Sequence, residues 1–348
     1  MHPIATPDLA DADAGPAASR AAIAFTTLGR LFISLVVGSA LALIAAFLLA
    51  QPVQAQSTKT ELRIGIQKSS ALHTLQRATG SLEKKLQPLG VSVKWVEFPA
   101  GPQLLEGLNV GAVDVGYVGE APPIFAQAAG AQFVYIGHDP ASPEAEAIVV
   151  RKDSPIQSVA DLKGKKVALN KGSNVHYLLA RLVDKAGLQL SDLQVVYLPP
   201  ADARAAFESQ RVDAWVIWDP FLAAAQKQIG ARLLADGRGA VNNYQYYLAQ
   251  RDYARKNPQV IQALFAASVQ DGEWLKAHRV QAAAQIAPLQ GLPVDVVELA
   301  LQRQAVNVRP ITPEVAADQQ RIADTFHALK LIPKAIQVSD AVLPEARH

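Results

Sequence analysis

The chain repeats itself, and the repeat constrains the fold more than any single motif. Val113-Asp114-Val115-Gly116-Tyr117-Val118-Gly119-Glu120 aligns with Val212-Asp213-Ala214-Trp215-Val216-Ile217-Trp218-Asp219, 99 residues on. Ile64-Gly65-Ile66-Gln67-Lys68-Ser69-Ser70-Ala71-Leu72-His73 aligns with Val167-Ala168-Leu169-Asn170-Lys171-Gly172-Ser173-Asn174-Val175-His176, 103 residues on. Each segment is a short apolar run ending in a polar turn before helical sequence, so two pairs in the same order predict two similar lobes. Around them, apolar runs at 62–67, 91–98, 113–118, 133–137, 166–170, 194–198 and 214–218 read as strands. They alternate with helical patterns at 72–89, 102–111, 122–130, 175–186, 202–210 and 220–229, several starting at Pro and stopping at Gly. That alternation predicts an α/β fold with mainly parallel sheets. After about Tyr247 the pattern is helical, at 258–278, 281–289, 294–302 and 313–329, and is expected to return and brace the first lobe. The lobe crossings are expected near 146–151 and 245–248.

In open α/β sheets, ligands sit beyond the carboxyl ends of strands, where loops lead into helix amino-termini. The repeat supplies four such ends, two per lobe, around one cleft. Gln67-Lys68-Ser69-Ser70 and Asn170-Lys171-Gly172-Ser173-Asn174 each lead into a helix, and free N–H groups with Ser and Asn donors there form an anion site that needs no arginine. Read one at a time, Ser69, Ser70, Ser173 and Asn174 are equally N-caps of their own helices. His73 reads as structural, while His176 stands open between ligand donor and structural residue. Lys68 and Lys171 read as solvent-facing. Glu120 and Asp219 read mainly as helix caps before Ala121-Pro122 and before Pro220, with ligand contact as the alternative. Trp218 ends a strand at the cleft, where it can pack against an apolar ligand body. Trp215, three residues earlier in the alternation, faces the core. The candidate ligand-binding set is Gln67, Ser69, Ser70, Gly119, Glu120, Ser173, Asn174, His176, Trp218 and Asp219.

Composition excludes much else. None of the 348 residues is cysteine, which removes disulfides, thiolate metal sites, thiol nucleophiles and thioether lipids. The 33 Lys+Arg against 31 Asp+Glu leave a formal charge of +2, with no basic block to suggest nucleic acid. There is no Gly-x-Ser-x-Gly elbow, phosphate loop, dinucleotide fingerprint or His-Glu-x-x-His, and no metal-ligand spacing, so a binder without cofactor or catalytic site is expected. The uncharged run at 31–50 follows Arg20 and Arg30 and precedes Pro52-Val53-Gln54-Ala55. It reads as a secretory signal cleaved after Ala55, although its length also suffices for a membrane anchor. The expected division is a leader at 1–55, lobe 1 at 56–147, lobe 2 at 148–246, and a return to lobe 1 with C-terminal helices at 247–348.

Several stretches resemble the aliphatic sulfonate-binding proteins of ABC importers, in the nitrate/sulfonate/taurine group. They are Val96-Glu97-Phe98-Pro99-Ala100-Gly101-Pro102-Gln103-Leu104-Leu105-Glu106, Pro122-Pro123-Ile124-Phe125-Ala126-Gln127-Ala128-Ala129-Gly130-Ala131, Val159-Ala160-Asp161-Leu162-Lys163-Gly164, Pro200-Ala201-Asp202-Ala203-Arg204-Ala205-Ala206-Phe207, and Trp218-Asp219-Pro220. The resemblance implies a two-lobed type II periplasmic-binding-protein fold, a monomer that closes on an aliphatic sulfonate and hands it to a membrane permease as a sulfur source. A sulfonate is permanently anionic, with three acceptor oxygens that suit helix-start donors. Where the family usually has Gly-Asp before Pro-Pro, this chain has Gly119-Glu120-Ala121, which leaves the ligand open. Nitrate, taurine or a thiamine-precursor pyrimidine are alternatives within the same class, and an exported enzyme using Glu120 and Asp219 is the alternative outside it.

Overall fold

The computed structural model describes residues 60–342, so the apolar run at 31–50 and the junction after Ala55 lie outside the described residues. The described chain opens with β1 (Thr60–Ile66), α1 (Ala71–Thr79), α2 (Ser81–Leu86), β2 (Val91–Glu97), α3 (Gly101–Asn109), β3 (Val115–Gly119), α4 (Ala121–Ala128) and β4 (Phe133–Asp139). It continues through β5 (Glu146–Val150), β6 (Lys166–Leu169), α5 (Asn174–Lys185), β7 (Gln194–Tyr197), α6 (Pro200–Glu208), β8 (Ala214–Trp218), α7 (Phe221–Ile229), β9 (Arg232–Asp236) and β10 (Gln245–Gln250). Helices α8 (Arg251–Lys256), α9 (Pro258–Ala277), α10 (Arg279–Gln290), α11 (Val294–Arg303) and α12 (Pro313–Ala328) follow.

Two five-stranded sheets form, ordered β2-β1-β3-β10-β4 and β7-β6-β8-β5-β9. The sequence repeat is the central pair of each. Ile64 faces Val115 and Gly65 faces Gly116 in the first sheet, and their aligned counterparts Val167 and Ala214, Ala168 and Trp215, face each other in the second. The aspartate of each Val-Asp pair explains part of that register. Asp114 accepts the Arg63 backbone N–H at 2.8 Å, and Asp213 accepts that of Lys166 at 2.8 Å, so each acid pins the edge of the neighbouring strand. The Arg63 guanidinium grips Asp114 with two further bonds. Every residue of β3 is buried, as a strand covered on both faces requires. Trp215 is buried against Phe207, as its place in the alternation predicts.

One expectation is refined and two are corrected. The sheets are mainly parallel but mixed, because β5 and β10 run antiparallel to both of their neighbours. These two strands are the anticipated lobe crossings. Short connections at 140–145 and 237–244 join the cleft ends of the two sheets, so each arriving strand starts where its neighbours finish and must run the other way. The helix expected over 72–89 is broken at Gly80, whose φ of 63° is the left-handed conformation that ends α1. Finally, the late helices do not all brace the first lobe. The small residues Ala223 and Ala224 of α7 bury against Val296 and Ala300 of α11, which seats α11 on the second lobe. Among the described residues no helix is long and apolar enough to cross a membrane.

Candidate functional site

The strand ends converge on a small cavity of about 40 Å³. Seven of the ten sequence candidates line it: Gln67, Ser69, Gly119, Ser173, Asn174, Trp218 and Asp219. Gln67 and Ser69 belong to the turn between β1 and α1. There the Ser70 N–H donates to Gln67 O at 2.8 Å, and Gln67 Nε2 reaches Tyr117 O at 3.1 Å, which fixes the Gln67 side chain across the strand ends. The matching turn between β6 and α5 is closed by Ser173 Oγ, which donates to Asn170 O at 2.7 Å. Neither Ser70 nor Ser173 caps its helix through the side chain; within these turns the Ala71 N–H donates to Ser69 O and the His176 N–H to Ser173 O, each at 2.9 Å.

Asn174 ties the lobes together. Its Oδ1 accepts the Ala121 N–H at 3.3 Å from the start of α4, and its Nδ2 donates to Asn243 Oδ1 at 2.6 Å. Asn243, with φ of 53°, also accepts from Gln245 Nε2 at 2.9 Å and donates to Ser142 O at 2.8 Å. These bonds span both inter-sheet connections. Gly119 makes the approach possible: a Cβ there would lie 2.0 Å from Asn174 Oδ1.

Asp219 behaves as the expected cap, accepting the Ala223 N–H at 2.9 Å at the start of α7. Arg303 Nη1 stands 3.4 Å from both carboxylate oxygens. Burial nevertheless dominates and pushes the Asp219 carboxyl up to about 7, against the pull of Arg303 and the Ala223 N–H. Trp218 is partly exposed beside it, edge-on to Phe221.

Three candidates are not brought to the cavity. Ser70 Oγ accepts the Gln67 N–H at 3.2 Å inside its own turn. His176 is buried, accepts the Gly172 N–H at Nδ1 and stacks on Phe125; burial lowers it to about 4, so it is a neutral structural ring. Glu120 caps no helix and does not line this cavity. It makes no side-chain cap bond to α4, and its Oε2 turns to the Tyr244 N–H at 2.8 Å, because α4 starts at Ala121 with Pro122 and Pro123 in its first turn and so has few N–H groups to offer. Of the matched acids, Asp219 lines the cavity and Glu120 does not.

Of the residues set aside, His73 is buried among Trp95, Tyr117 and Tyr247, and burial lowers it to about 3. Lys68 is tied to Gln290 O at 2.6 Å, and Lys171 lies over the Tyr197 ring. Neither lines the cavity.

Tyr117, Asp139, Ser142, Asn243, Gln245 and residues 304–306 line the cavity without having been singled out from sequence. Asp139 carried a usable signal, since it ends an apolar strand with an acid before Pro140, as Asp219 does before Pro220. It is 2% exposed. Its Oδ1 accepts the Asn307 N–H at 2.9 Å and its Oδ2 the Tyr247 hydroxyl at 3.1 Å. Burial raises it to about 6, opposed by the bonds from Asn307, Tyr117 and Tyr247.

The NMT1/THI5-like family matches residues 87–282. The chain is 47% identical to a putative aliphatic sulfonates-binding protein of Escherichia coli over 83% of its own length and 91% of that protein's. It is 34% identical to the Bacillus subtilis protein of the same description, over 81% and 85%. The alkanesulfonate-binding protein SsuA of Xanthomonas axonopodis pv. citri, solved bound to MOPS, superposes with a TM-score of 0.78 at 42% identity, covering 82% of this chain and 98% of that one.

Proposed function

The chain belongs to the NMT1/THI5-like family and, within it, to the aliphatic sulfonate-binding proteins, and from that premise we propose that it captures aliphatic sulfonates for import by an ABC transporter. The observation that carries the reading is the cavity itself: two strand-to-helix turns, one from each lobe, face one space and offer N–H groups, hydroxyls and amides without a lining Lys, Arg or His. Such donors match three sulfonate oxygens, and the helix dipoles supply the positive potential. Trp218 offers an apolar surface for the alkyl tail. The Asn174 bonds to Ala121 and Asn243 act as the latch of a closed state, in which excluded water strengthens the bonds to the anion.

In this reading the protein works as a monomer in the periplasm, released from its leader after Ala55, and presents the loaded closed form to a membrane permease. It performs no chemistry on the ligand. Thermal unfolding with ethanesulfonate and with propionate tests the proposal. Ethanesulfonate at 100 times its dissociation constant should stabilise the fold by about 2.7 kcal/mol, and propionate should not. Absence of stabilisation by any alkanesulfonate would overturn it.

A further inference from the structure

The connections that join the sheets have a second side. Gly119, Ser142 and Asn243 line the cleft cavity, whereas their chain neighbours Glu120, Pro143, Asn242 and Tyr244 line another cavity of about 560 Å³, in the range of small-molecule sites. No residue lines both, so one wall divides two spaces.

Two helices bound the second cavity, and each offers it an arginine and a hydroxyl one turn apart. These are Tyr177 and Arg181 of α5, and Arg321 and Thr325 of α12. Burial and the charge of Glu120 raise the Tyr177 hydroxyl, and Arg181 and Arg321 both act against that rise, so the acid and both guanidiniums stand within electrostatic reach of one phenol. Two polar atoms of the lining have no partner. Arg181 Nε is buried and unbonded, while Asp184 approaches Nη1 at 3.5 Å. Glu120 is wholly buried, gives Oε2 to the Tyr244 N–H and leaves Oε1 free. Burial holds this carboxyl protonated up to about 8, and with Oε2 already accepting, the proton belongs on Oε1, a spare donor. The acids of the lining are occupied: Asp318 by Arg321 and by Asn242 Nδ2 at 3.0 Å, Asp324 by Gln320 Nε2 at 2.8 Å. Spare donors beside an arginine fork fit a carboxylate, and the rings of Tyr177 and Tyr244 with Ile322 cover an apolar body. A single charge suits the site, because a dianion would be held near Asp318 and Asp324.

We infer that this cavity is a second ligand site, separate from the sulfonate cleft, which takes a small monocarboxylate with an apolar body and holds its carboxylate between Arg181 and Glu120. Saturation-transfer NMR at pH 7 with benzoate tests it, on protein whose cleft has just been filled with ethanesulfonate. Benzoate should bind with a dissociation constant on the order of 1 mM, and benzyl alcohol, which lacks the charge, at least about 10-fold more weakly. Arg181→Gln should weaken benzoate by roughly 10- to 100-fold, the range of one charge-assisted hydrogen bond, and leave ethanesulfonate binding unchanged. Glu120→Gln puts an amide donor where Oε1 stands and should retain benzoate.

Failure of benzoate to bind overturns the inference, as does benzyl alcohol binding equally well. So does displacement of benzoate by ethanesulfonate, which would put the carboxylate in the cleft, or undiminished binding to Arg181→Gln. Loss of benzoate in Glu120→Gln overturns the part given to Glu120. The inference does not rest on the sulfonate reading: the variants decide it even for a protein that binds no sulfonate.

Discussion

Replacing Glu120 with glutamine should make the protein's stability less sensitive to alkali. The Glu120 carboxyl is fully buried, with Oε2 on the Tyr244 N–H and no partner on Oε1. Glu146 is equally buried, and neither of its oxygens has a partner. Burial pushes Glu120 from 4.5 up to about 8, against the backbone bonds from Tyr244 and Asn243, and pushes Glu146 well above its ordinary range with the charge of Glu120 adding to it. An acid whose value is higher in the folded than in the unfolded chain stays protonated on folding. Its stabilising contribution is complete below 4.5 and is lost as pH climbs toward 8. At about 1.4 kcal/mol for each pH unit crossed, the interval from 4.5 to 8 amounts to about 4 to 5 kcal/mol. Glutamine keeps an acceptor for Tyr244 and cannot ionise. Urea midpoints of the ligand-free protein, taken from pH 5 to pH 8.5, should therefore show the variant gaining on the parent as pH rises, by several kcal/mol at the upper end. Because the charge of Glu120 adds to the Glu146 shift, the variant also eases the Glu146 slope, and the difference between the proteins reports the pair with Glu120 as the group removed. A difference that stays constant across the range would refute the reasoning.

Two further substitutions probe the cleft. Gly119→Ala drives a methyl into the Asn174 amide and should break its bonds to Ala121 and Asn243, weakening alkanesulfonate binding by roughly 10- to 100-fold in calorimetry while far-UV circular dichroism stays native; unchanged affinity would remove Asn174 as the latch. Arg303→Met strips the cation from Asp219, whose value of about 7 already lies above 3.8, so its contribution is lost as pH rises through 7 and the loss now extends further. Urea unfolding should show destabilisation of about 3 to 5 kcal/mol at pH 8, much less at pH 5, and recovery in the double variant with Asp219→Asn. A loss equal at both pH values would mean that Arg303 acts through packing alone.

Much of the architecture could be read before any coordinates because it is written in local pattern. The repeat at 64–73 and 167–176, and at 113–120 and 212–219, aligns residues that do face each other in the two sheets, since period-two alternation and an anchoring aspartate are properties of consecutive residues. The same locality made Gln67, Ser69, Ser173 and Asn174 legible: a polar turn between strand and helix can be seen in one stretch of chain. Glu120 and Asp219 mark the limit. They occupy matched positions, yet one turns away to Tyr244 while the other caps α7 and meets Arg303 from α11, and that choice depends on neighbours 124 and 84 residues away in the chain.

The sequence by itself therefore determined two α/β lobes, a cleft at their strand ends and a chemistry suited to a small anion. Tertiary structure alone decided the antiparallel crossing strands, the seating of α11 on the second lobe and the bond from Asn307 to the Asp139 carboxylate. Those features arise where short connections join the cleft ends and where a returning segment brings Asn307 beside Asp139, and contacts between distant stretches leave no local periodicity to read.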